Sequence, residues 1–352
     1  MAARRGRARR APPGRSPPLG GRAVSRTGLL LALAAASLVS IALACLAGSA
    51  PLSVGETLAG VAGAGREPVR IIVWDIRLPR ALAAFLVGGA LGASGAALQG
   101  LLRNPLADPG VLGVSGSAAL GAVVAIYFNL AALTTLAVPG LAVAFALGAT
   151  ALLYTLGATR IGSVQLILVG VGISSFAGAL TALAMNLAPN PFSLSDLVNW
   201  LLGSVANRSW ADLGFAAPFW IAGLGLALAA APGLRALALG EEAAFTLGVD
   251  LKRTRALVIA GTALMTGAAV AVAGMIGFVG IVAPHVVRPL VKHDPADLIV
   301  PSALTAGIML VLADLAIRLA PFTQELKLGV AAALVGAPAF VWIAARNRSI
   351  GR

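Results

Sequence analysis

Residues able to do chemistry are scarce in this chain. Its 352 residues include two histidines, His285 and His293, one cysteine, Cys45, and 13 acids. No histidine, cysteine or carboxylate group stands at metal-ligand spacing, and no nucleophile lies near a base in a known motif. The lone Cys45 excludes a disulfide framework. The three lysines are Lys252, Lys292 and Lys327. None follows a glycine with Ser or Thr after it, so there is no phosphate-cradling P-loop. The chain by itself cannot use ATP, and no catalytic, cofactor or metal site is expected in it.

The remaining charges mark the ends of apolar runs. Arg77 and Arg80 flank Pro79, and 22 uncharged residues follow, Ala81 to Leu102. At ~1.5 Å rise per residue such a run spans the ~30 Å apolar core of a bilayer. It is rich in Gly, Ala and Ser, which let helix backbones approach closely in lipid, so it should pack inside a bundle. It stops at Arg103-Asn104-Pro105. Asp314 lies in another apolar run with Arg318 four residues on, a spacing that favours an ion pair within one helix. An acid in a span is a functional candidate by default; here a pair fixing the helix end is the preferred reading. Ser174, Ser175 and Thr181 are candidates to line a polar path, although such hydroxyls also bond back to their own helix.

The longest connection expected on the cytoplasmic side is 235–255, RALALGEEAAFTLGVDLKRTR. Gly240 precedes Glu241 and Glu242, acids that suit the first turn of a helix. Ala243, Ala244, Phe245 and Leu247 follow, and Gly248 can end it. A short amphipathic helix is expected there.

Composition sets the class. Hydrophobic residues make up 59% and charged ones 11%, against ~25% charged in soluble domains. Apolar runs predict an all-α polytopic membrane protein with ten spans, near 28–48, 81–102, 110–128, 132–157, 162–187, 213–231, 256–275, 277–291, 298–319 and 328–345. A further short helix within 188–212 should lie at the membrane surface, anchored by Trp200 and Trp210. The second and seventh spans share Gly/Ala spacing and, five spans apart, run in opposite directions, as an inverted repeat would. The net charge of +13 comes largely from eight arginines in the first 27 residues, a Pro/Gly-rich segment that reads as a disordered cytoplasmic tail rather than a nucleic-acid binder. With both termini cytoplasmic, 19 of the 26 Lys and Arg residues fall inside, as the positive-inside rule requires. The transmembrane domain is then 28–345, with 346–352 a second cytoplasmic tail.

Four motifs occur in order: RLPR with NPLADPG, LGEEAAFTLGV, GMIGFVGIVAPHVVR, and ELKLGVAAALVGAP. Together they resemble the FecCD-type permeases of type II ABC importers for vitamin B12, ferric siderophores and haem, over residues ~50–345. The resemblance implies a homodimer in the bacterial cytoplasmic membrane, with two ATP-binding cassette subunits inside and a substrate-binding protein outside. ATP would be used by the partner. The segment Glu241, Glu242, Ala243, Ala244 and Gly248 would then couple to the ATPase, and Arg77, Arg80 and Arg318 would meet acidic residues of the binding protein. An iron chelate is the favoured cargo, cobalamin the other. The competing class is a secondary transporter or channel driven by an ion gradient, which usually needs charged relays near the midplane.

Overall fold

The Gly/Ala stripe after Arg80 does what small residues do in lipid: it brings backbones into contact. In a computed structural model describing residues 25–48, 50, 52–158, 163–291, 293–321 and 326–346, that stripe is the centre of the fold. The arginine-rich segment up to residue 24, Glu325 of the ELKLG motif and the residues beyond 346 lie outside the described residues.

The chain forms α1 (Arg26–Leu46), α2 (Val54–Val61), α3 (Glu67–Ile71), a π-helical turn (Ile72–Arg77) and α4 (Leu78–Leu102). A 3₁₀ turn (Pro109–Leu112) leads to α5 (Val114–Tyr127), α6 (Ala137–Leu153), α7 (Ser163–Asn186) and α8 (Pro191–Leu201). Next come α9 (Trp210–Ala229), α10 (Ala231–Leu237), α11 (Glu241–Thr246), α12 (Leu251–Ala273), α13 (Val279–Val287), α14 (Pro295–Leu319) and α15 (Leu328–Arg346). Among the described residues there is no strand.

Each of the ten expected spans has its helix. Among the described residues, seven stretches are long and apolar enough to cross a membrane, and the helices at 114–127, 279–291 and 328–342 are apolar but shorter. α4 packs on α14 and α13 through its glycines. A methyl added at Gly92 would lie 2.5 Å from the Ser302 carbonyl oxygen, and one at Gly95 1.9 Å from that of Gly280. Only hydrogen fits at either place. Ala83, Ala84, Val87, Ala96 and Leu98 of α4 are fully buried around this seam. α12 lies beside α4 and runs the opposite way: it starts where Gly233 meets Thr254, at the end where α4 stops.

Two departures from the sequence reading have clear causes. The second span begins well before Ala81, because α3, the π turn and α4 form one continuous helix from Glu67. Pro79 lies inside this continuous helix, just after the π turn, where its missing N–H leaves one carbonyl of the ladder without a donor. The connection 49–80 is also largely helical. Ser53 and Glu56 form a reciprocal capping box that starts α2, a four-residue signal readable in the sequence. The surface helix expected in 188–212 is α8, with Leu197 buried beneath it. Of its expected anchors, Trp210 is the more exposed and donates its indole N–H to the Trp74 carbonyl at 2.9 Å.

Candidate functional site

Three polar constellations interrupt the apolar bundle. The first is at the end of the molecule that carries α11. Gly240 has φ 111° and Gly248 φ 76°, backbone states that glycine adopts freely, so the chain turns sharply on both sides of the helix. Ala244 is fully buried and Glu241 is tied to Arg255 at 2.8 Å. These two contacts seat α11 on the bundle and leave its other face bare. Phe245 is 78% exposed, Leu239 70% and Leu247 63%, and Glu242 is exposed beside them. An uncovered aromatic flanked by leucines and an acid is the kind of patch found at interaction sites. The same end is pinned by Arg235, which reaches Asp294 at 2.7 Å and Asp297 at 3.2 Å, and by Arg26, 3.1 Å from Asp297. Burial pulls the Asp294 carboxyl upward, but the Arg235 guanidinium and the Ala296 amide outweigh it and hold it below the usual carboxylate range.

The second constellation centres on Gln99, 3% exposed near the end of α4. Its amide donates to the carbonyls of Ala107 (3.4 Å) and Gly280 (3.3 Å), and its carbonyl accepts from Arg288. One side chain thus joins α4, the Asn104–Asp108 turn and α13. Asp108 caps the 3₁₀ turn that follows (Pro109–Leu112), accepting from the Gly110 amide at 2.8 Å. Ser174 of α7 donates to the Gly110 carbonyl at 2.7 Å, so its hydroxyl ties α7 to the turn rather than bonding back into its own helix. Ser175 is exposed and Thr181 half-buried on α7. The sequence reading missed Gln99; its signal was a lone carboxamide in an otherwise apolar, charge-free span.

The third is at the opposite end. Asp314, 2% exposed, accepts from Arg80 at 2.8 and 3.1 Å and pairs with Arg318 at 3.1 Å. Arg77 donates to the carbonyls of Cys45 (2.9 Å), Leu46 (3.1 Å) and Ala50 (2.7 Å). Arg318 donates to those of Ala44 (3.2 Å) and Ala47 (3.1 Å). The C-terminal carbonyls of α1, left without intrahelical donors, are therefore capped by two guanidinium groups from other helices. The three arginines expected to meet the binding protein are thus largely buried within this chain. Arg77 is 4% exposed, and the Arg80 and Arg318 side chains 15% and 6%. The expected Asp314–Arg318 pair is present.

The protein-family comparison decides the lineage: the model of the FecCD transport family matches residues 33–346. The chain belongs to the FecCD transport family. Among relatives of this FecCD-family chain is an uncharacterised ABC transporter permease, YvrB, of Bacillus subtilis, 41% identical over 80% of each chain. Another is the cobalamin import system permease BtuC of Halobacterium salinarum, 40% identical over 81% of this chain and 76% of that one. The vitamin B12 import system permease BtuC of Vibrio cholerae is 38% identical over 84% and 89%. A solved structure titled as an inward-facing conformation of a metal-chelate type ABC transporter superposes with a TM-score of 0.80 at 29% identity, covering 91% of this chain and 99% of that one. The resemblance carried by the RLPR, LGEEAAFTLGV and ELKLG motifs is thereby borne out, as is the ABC-importer permease fold. No observation supports the ion-gradient alternative, and in this FecCD-family chain Asp314, the acid such a mechanism would need, is locked between two arginines.

Proposed function

We propose that the chain is the membrane permease of an ATP-driven importer for a bulky metal chelate, with cobalamin, a ferric siderophore or haem as the cargo class. It would act as a homodimer with two ATPase subunits and one binding protein, in the bacterial cytoplasmic membrane. Both termini and α11 would face the cytoplasm. The observation that carries this is α11 itself: a six-residue helix seated by Ala244 and Arg255, with Phe245 and Leu247 uncovered. Glu241, Glu242, Ala243, Ala244 and Gly248 form the coupling segment, and closure of the ATPase pair would move α11 and tilt the bundle behind it. The cobalamin relatives and the metal-chelate structural neighbour support the cargo class. α7 is the least covered of the seven long apolar helices, with 17% of its apolar window buried. Such a face suits a second copy and a pathway between copies, onto which Ser175 and Thr181 would open.

At the opposite end, docking of the binding protein is proposed in a narrower form. Arg80 keeps more exposure than Arg77 or Arg318, and an incoming carboxylate would compete with Asp314 for it. The test is reconstitution in vesicles with the ATPase and the binding protein. ATP-dependent uptake of labelled cobalamin or ferric chelate is expected. Phe245→Asp with Glu242→Arg should abolish uptake and ATPase association while leaving thermal unfolding of the permease unchanged, since exposed substitutions shift stability little. Uptake unaffected by that double variant would overturn the coupling assignment.

A further inference from the structure

At the α11 end a pocket of about 270 Å³ opens between the end of α4, α10, a 3₁₀ turn (Arg288–Val291) and the start of α14. Gln99, Arg103, Arg288, His293, Pro295 and Leu298 line it. We propose that this pocket binds the phosphate headgroup of an anionic phospholipid in the leaflet on the α11 side.

The charge inventory comes first. No carboxylate lines the pocket. Among the described residues none pairs with Arg103, Arg288 or His293: Asp294, Asp297 and Glu241 are claimed by Arg235, Arg26 and Arg255, and Glu242 lines a neighbouring cleft with Arg103 without an ion pair to it. Arg288 is half-buried, and its partner is the neutral Gln99 carboxamide. A guanidinium carries five N–H donors, so one neutral acceptor leaves it well short of satisfied. Gln99 cannot turn away, because its amide is held by the Ala107 and Gly280 carbonyls.

Backbone conformation adds a second, independent mark. Arg103 (φ 50°) and His293 (φ 64°) are two of the five described non-glycine residues with positive φ. Arg103 is the C-cap of α4, a place where glycine or asparagine normally stands. Strained positions occupied by long polar side chains gather at binding sites.

Position and flank choose the ligand. The pocket lies where α4 ends and α14 begins, the level of lipid headgroups. Its cations share it with Pro295 and Leu298, and beside Arg288 stand the exposed Val286 (54%) and Leu290 (48%). Cations above an apolar flank fit a phosphate carried on acyl chains better than a free anion, and basic pockets between spans on this side of a membrane bind acidic lipids. An acidic partner protein is disfavoured, because the adjacent α11 already presents Glu241 and Glu242. A partner groove that accepts those acids would not also offer a carboxylate here.

The test uses the purified full-length permease, alone, in nanodiscs of phosphatidylcholine with or without phosphatidylglycerol. The acidic lipid should raise the wild-type midpoint by about 3 °C or more, and native mass spectrometry should find retained phosphatidylglycerol. Arg288→Gln and Arg103→Gln should each lose the shift; Arg103 is exposed, so its variant folds even where the other does not. Inorganic phosphate added to phosphatidylcholine nanodiscs should do nothing. The proposal is overturned by an absent shift or a shift kept in Arg103→Gln. It is equally overturned if phosphate alone reproduces the effect, which makes this a free-anion site. Loss of ATPase association by Arg103→Gln in pure phosphatidylcholine would make it a protein contact and also overturns it.

Discussion

Asp314 is one carboxylate serving two guanidinium groups in a place nearly closed to solvent. Removing it strands both. Breaking a buried pair by deleting one partner costs about 3–5 kcal/mol, so Asp314→Ala should lower the unfolding midpoint sharply in detergent. Asp314→Ala combined with Arg80→Gln should cost less than the two single changes added together; strict additivity would mean the two residues do not interact. Arg235 and Asp294 behave differently, since both are partly exposed. The Asp294 carboxyl is held low, so its link to Arg235 is intact above the ordinary carboxylate range and fades only as pH falls through the depressed value. Midpoints of wild type and Arg235→Gln should therefore converge in acid and separate toward neutral pH, and a gap constant at every pH would refute this.

Among elements, α4 offers a paired test. Gly95→Ala sets a methyl 1.9 Å from the Gly280 oxygen, while at Gly89 the nearest atom, the Ala303 oxygen, is 3.5 Å away. Overpacking costs about 1–3 kcal/mol, so Gly95→Ala should destabilise the protein measurably and Gly89→Ala should be tolerated. Equal effects would mean that the close α4–α13 approach is not maintained in lipid. The importance of this stripe was legible in the sequence because composition alone carries it. α11 was legible for a similar reason: Gly240, the two glutamates and Gly248 are local punctuation. The start of the second span was not, because Arg77, Pro79 and Arg80 imitate a helix boundary. Nor was the direction of the arginines, since Arg80 meets Asp314 across 234 residues and Arg318 meets Ala44 across 274. No local pattern encodes partners so far apart, and the same distance hid the Gln99–Arg288 contact.

For the whole molecule, the two ends defined by α11 and by Asp314 must lie on opposite sides of the membrane. In a Cys45→Ala background, Ser195→Cys should react with an impermeant maleimide from outside and Thr246→Cys should not; both positions are exposed. Reversed labelling would invert the orientation proposed above. Ala244, in the middle of α11, is unsuitable for this purpose because it is fully buried.

The capping of α1 by Arg77 and Arg318 also sets an order of events during synthesis. Arg77 follows the Cys45 carbonyl by 32 residues, but Arg318 follows the Ala44 carbonyl by 274. At ~5–20 residues per second, the ribosome needs roughly 14–55 s to deliver the second cap. Until Arg318 arrives, the Ala44 and Ala47 carbonyls lack their guanidinium donor. A nascent or truncated chain that has not reached Arg318 is thus chemically distinguishable from a finished one at its first helix. Any membrane protease that recognises unfinished helix ends would find its substrate there.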